Sequence, residues 1–84
     1  MRSSKRPIVC CLNVIADGMQ CRVIEITATG SMRHRILSLG LIEGTNMVVK
    51  GNNPLKKSVQ IVVRDRSLEL NEELAQKVLV KIGS

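Results

Sequence analysis

Residues 31–45 read SMRHRILSLGLIEGT. Two arginines flank a histidine, and the apolar run that follows is interrupted by Gly40 and Gly44. Met32, Ile36, Leu37 and Leu39 recur at roughly helical spacing, with Arg33, His34 and Ser38 elsewhere on the wheel. Ser31 is the expected N-terminal cap. Gly40 stands where a helix commonly ends on a left-handed residue, and Gly44 is free to take positive φ in the next turn. The stretch therefore predicts a short helix that runs into a corner. Three uses of it are open: a nucleic-acid-reading helix, a metal site with His34 as ligand, or the corner of a small barrel that serves another protein.

Outward from this corner the chain reads as short strands. TNMVVKG is one, and NNPLKK is a loop. SVQIVVR alternates Val59, Ile61 and Val63 against Gln60 and Val62, the pattern of a strand with one face buried. A tight turn at Asp65-Arg66 leads to SLEL, with Leu68 and Leu70 on one face. Asn71 caps a helical turn, NEELAQ, with Glu72 and Glu73 at its positive end. KVLVKI places Val78, Val80 and Ile82 on one face. Upstream, Leu12 and Ile15 are apolar anchors, Asp17-Gly18 is a turn, and MQCRVIEIT is a strand. Both faces of that strand carry apolar groups, Cys21 and Val23 on one and Ile24 and Ile26 on the other, so a bulge or a covered strand is expected. MRSSKRP has no periodicity. Residues 1–11 are read as a basic arm and residues 12–84 as one domain. About five short strands, one short helix and a helical turn make it mainly β, a small, partly open barrel.

The 84 residues carry thirteen Lys and Arg against seven Asp and Glu, a net charge of +6. That balance favours anionic partners, although the charge is spread along the chain. Phe, Tyr and Trp are absent. The core must be built from Val, Ile, Leu and Met. Base-stacking single-strand binders, RNA recognition motifs and proline-peptide grooves all need rings and are excluded in their usual form. An odd cysteine count, Cys10, Cys11 and Cys21, argues against a disulfide framework and for reduced thiols in the cytoplasm. IVCCLNVIA is too short to span a bilayer.

The candidate chemistry is sparse. A metal site would need Cys10 or Cys11, Cys21 and His34 to converge. The competing reading makes Cys21 a small core residue and His34 a helix surface residue. Ser31, Ser38 and Cys21 are possible nucleophiles, but no acid stands at a telling spacing and no glycine-rich phosphate loop is present, so the chain is read as no enzyme. Arg33 and Arg35 could meet phosphates, and a basic barrel that binds nucleic acid is the alternative function. One narrow basic face without a second recognition helix argues against it.

The run RHRILSLGLIEGT, then a strand, Pro54-Leu55, a Val/Ile strand, Leu68-x-Leu70, Glu73, Ala75 and a strand containing Val80, resembles the FeoA family of ferrous iron transport domains. Leu12, Ile15 and Gly18 fit the family's opening. The resemblance covers about residues 12–82. It implies an SH3-like barrel. It also implies an accessory or regulatory role beside FeoB, the GTPase-bearing membrane transporter of Fe(II), at the inner face of the membrane. Arg33, Arg35, Leu39, Gly40 and Leu41 are the partner-binding candidates on this reading, with Leu37 and Leu41 packing inward. The family's link to transition metals makes Fe(II) or another divalent ion a further expectation, with Cys21 and His34 as the candidate ligands, and a homo-oligomer is compatible with it. The chain departs from the family pattern at Lys56, Lys57 and Ser58, where Gly-Asp-Pro is usual. It departs again near Asp65-Arg66, where a glycine is usual, and at Asn71, where an arginine is usual.

Overall fold

The structure is a computed structural model that describes residues 8–53 and 55–82. Most of the basic arm, residues 1–7, and Pro54 lie outside the described residues. Six strands occur among the described residues: β1 (Ile8–Cys11), β2 (Gln20–Ile26), β3 (Asn46–Asn53), β4 (Ser58–Val63), β5 (Arg66–Asn71) and β6 (Val78–Ile82). A 3-10 turn at Leu12–Val14 follows β1, α1 (Gly30–Ser38) joins β2 to β3, and α2 (Glu72–Ala75) joins β5 to β6. The strands form one sheet in the order β1-β6-β2-β3-β4-β5, with every pairing antiparallel.

One face of this sheet closes on an aliphatic core. Val59, Ile61 and Val63 of β4, Val78 and Val80 of β6, and Leu70 of β5 are buried as their alternation requires. Leu12 and Ile15 anchor the chain below the sheet, and α1 contributes Ile36. No polar side chain is buried with them among the described residues. The expected bulge is present. The register of β2 against β6 shifts between Val23 and Glu25, so Cys21, Val23 and Ile26 all face the core while Ile24 is half-buried. A second shift, between Val49 and Gly51, bends β3. Such bulges bend the strand and increase its twist, which helps a small sheet wrap its own core.

Three expectations are corrected. Residues 8–11, assigned to the arm, are a strand: Ile8 lies opposite Ile82 and Cys11 opposite Leu79. Ile8 and Val9 are exposed and Cys10 and Cys11 half-buried, so the segment shows no two-residue period to read. Thr29 rather than Ser31 precedes the helix, in extended backbone and without a side-chain capping bond. Ile36, not Leu37, is the helix residue fully inside the core, and Leu37 lies half-buried at its margin.

Candidate functional site

The corner after α1 is built by short-range hydrogen bonds. Gly40 takes φ +90° and its N–H donates to the Leu37 carbonyl at 2.9 Å, which closes the last turn of the helix. Thr45 then holds the loop. Its Oγ1 accepts from the Ile42 N–H at 3.2 Å and donates to the Gly40 carbonyl at 3.4 Å. Gly44, also at φ +90°, donates to the Val23 carbonyl at 2.8 Å, and the Thr45 carbonyl accepts from the Val23 N–H at 2.9 Å. The corner is thereby fastened to the strand at its bulge.

Two arginines fasten the helix to the barrel. Arg33 Nη1 donates to the Ile26 carbonyl at 3.1 Å, at the end of β2. Arg66 Nη2, at the start of β5, donates to the Leu39 carbonyl at 3.3 Å. A cation there meets the negative end of the helix dipole.

The structure sorts the sequence candidates. Arg35 is exposed in the last turn of α1. Leu39 is half-buried at the edge of the core. Gly40 supplies the turn. Leu41 is 0% exposed and is core, so it can touch no partner; the apolar contact at this corner belongs to Ile42, 53% exposed. Sequence reasoning missed Ile42 because LGLI offers three aliphatic residues and no period to say which one points out. Arg33 is partly spent on the fold.

Cys21 and His34 stand in different surroundings. Cys21 is buried in β2, and burial, with a smaller contribution from Cys10, pushes its thiol up to about 11. A thiol held in its protonated form is a poor metal ligand. His34 is exposed on α1. Among the described residues no group of three or more His, Cys, Asp or Glu side chains is placed to hold a metal ion. Cys10 and Cys11 are half-buried free thiols on β1.

The chain's departures from the family pattern have local solutions. Lys57 takes φ 54°, and its carbonyl accepts from the Glu72 N–H at 2.7 Å, which ties the loop to α2. Arg64 takes φ 59° in the turn between β4 and β5. Asn71 caps α2, its side chain accepting from the Leu74 N–H at 2.8 Å.

The sequence pattern of the FeoA domain matches residues 10–82. The chain belongs to the FeoA family. A FeoA-like protein from Clostridium acetobutylicum has the same fold, with a TM-score of 0.80 and 25% identity, over 95% of this chain and 90% of that one. The crystal structure of an iron uptake regulatory protein (FeoA) superposes with a TM-score of 0.78 at 25% identity, covering 89% of this chain and 99% of that one. A manganese-dependent transcriptional repressor contains a similar domain, with a TM-score of 0.82 at 18% identity, over 90% of this chain and 37% of the repressor. That likeness concerns the fold alone, which is SH3-like as in the FeoA structures. No curated protein matches the sequence. The FeoA family is linked to ferrous iron transport and is a family of small accessory domains rather than of known enzymes. Among the described residues no helix is long and apolar enough to cross a membrane.

Proposed function

We propose that this FeoA domain is a cytoplasmic accessory module of ferrous iron uptake that docks on the cytoplasmic part of a FeoB-type transporter, and so works at the inner face of the membrane. The observation that carries this reading is the corner after α1. It is fastened from three sides, by Thr45, Val23 and Arg66, and it carries the exposed Ile42, with the half-buried Leu39 at the end of the helix and the exposed Arg35 in the helix's last turn. A preorganised apolar side chain rimmed by charge is the usual anatomy of a small interaction hot spot. Iron is cargo on this reading and is carried by the transporter. Direct binding of Fe(II) or another divalent ion to the domain would have to recruit groups other than a buried, protonated Cys21.

The test is retention of the transporter's purified cytoplasmic part on the immobilised domain. Ile42→Asp and Arg35→Glu both sit on the surface and leave the core intact. Each is expected to weaken retention at least about tenfold, the loss of roughly 1.4 kcal/mol or more typical of a hot-spot residue. Normal retention by both folded variants would move the docking surface elsewhere.

A further inference from the structure

A second surface lies on the outer face of the sheet. It is an open groove of about 1090 Å³ across β2, β3, β4 and β6. Arg22, Arg64 and Lys81 line it, and none of the residues lining it is acidic. Met19, Val48 and Val62 give it an apolar floor.

Two features of this groove cost the fold stability. The register sets Arg22 of β2 directly opposite Lys81 of β6. Like charges facing each other across an antiparallel pair repel. Arg22 Nε donates to Asn46 Oδ1 on β3 at 3.1 Å, on the side of β2 away from Lys81, which leaves the guanidinium charge unneutralised. At the far end, Arg64 stands at φ 59°, a conformation that disfavours any residue with a Cβ. A glycine there would relieve the backbone, yet the position holds a cation that faces the groove. The two-residue hairpin that joins Val63 to Arg66 requires the left-handed residue; what the groove gains is that the residue is an arginine rather than a glycine.

We propose that this groove binds an extended acidic peptide segment of a protein partner, with carboxylates seated between Arg22 and Lys81 and against Arg64, and aliphatic side chains on Met19, Val48 and Val62. Charge complementarity selects an anion. The apolar floor selects a peptide over a nucleic acid backbone, which has no aliphatic groups to lay on it. The absence of aromatic residues removes base stacking. A bound carboxylate adds an attraction to each of Arg22 and Lys81 that offsets their mutual repulsion. The proposal does not depend on the transporter reading, because no residue of the corner takes part.

The test uses a fluorescent peptide of alternating Glu and Leu, the same peptide with Gln for Glu, and a single-stranded oligonucleotide of equal charge. The acidic peptide is expected to bind, the Gln peptide at least about tenfold more weakly, and amide shifts to map to Arg22, Val48, Val62, Arg64 and Lys81. Lys81→Gln is expected to weaken binding at least about tenfold while raising the Tm of the free domain by about 2 °C, the sign of a relieved repulsion. Arg64→Gly is expected to act in the same two directions. A role in folding alone would lower the Tm instead. Equal binding of the Gln peptide, unchanged binding by both variants, or an oligonucleotide that binds more tightly than the acidic peptide with a steep salt dependence would each overturn the proposal.

Discussion

Gly40 shows how much one residue decides. At φ +90° its Cβ would meet no atom within 4 Å, so space is not the constraint; the backbone conformation is. Gly40→Ala is expected to destabilise the domain by about 1–2 kcal/mol, measured by urea denaturation. Cys21 makes a second prediction at this scale. Its thiol ionises near 9.0 in an unfolded chain and is pushed up to about 11 in the fold. The folded state therefore keeps a proton that the unfolded state releases. Stability is complete below about pH 9 and declines as the pH rises towards 11. Denaturation midpoints between pH 8 and 11 should fall for the native chain and fall less steeply for Cys21→Ala. Gly40, Gly44 and Asn71 were legible in the sequence because each serves a need that few residue types meet. Ile42 was not, since its exposure depends on which way the corner turns, and Arg66 helps set that through a contact with Leu39 from far along the chain, which no local pattern announces. Arg64 was equally hidden. A bulky cation gives no sign that its backbone is left-handed.

Among the elements, β4 and β6 were read correctly because strict alternation leaves one register that buries the apolar face. β2 was half-legible. Its excess of apolar residues announced a bulge without placing it, and the register of β6 places it at Val23–Glu25. β1 was missed because an edge strand needs only one hydrogen-bonded neighbour, and its side chains need not alternate. Its worth is measurable. Deleting residues 1–11 removes the partner of β6 from Ile82 to Leu79. The truncated chain is expected to lose about 2–4 kcal/mol of stability, from the few backbone hydrogen bonds it forfeits. It should also self-associate through the bared β6 edge, detectable by sedimentation. An unchanged midpoint and a monomeric truncated chain would mean that β1 contributes nothing. Helix α1 illustrates the opposite case. It is nine residues long, too short to stand alone in water, and Arg33 and Arg66 hold it from either end.

For the molecule as a whole, composition was a good guide to what it cannot be and a poor guide to where its surfaces lie. The want of aromatic residues rightly pointed to an aliphatic core. The net charge of +6 suggested an anionic partner but not a place for one, because Arg22, Arg64 and Lys81 are far apart in the chain and meet only through the sheet. The two proposed surfaces are chemically distinct, an apolar knob with one cation and a cationic trough with an apolar floor. A partner with one affinity for each would gain from engaging both.

The antiparallel pairing of the first and last strands has one more implication. Ile8 faces Ile82, and backbones paired in this way run about 5 Å apart. The polypeptide therefore enters and leaves the barrel through one doorway. A host protein interrupted by such a domain would feel little more than a narrow gap in its own backbone. That makes the barrel easy to graft as a cassette.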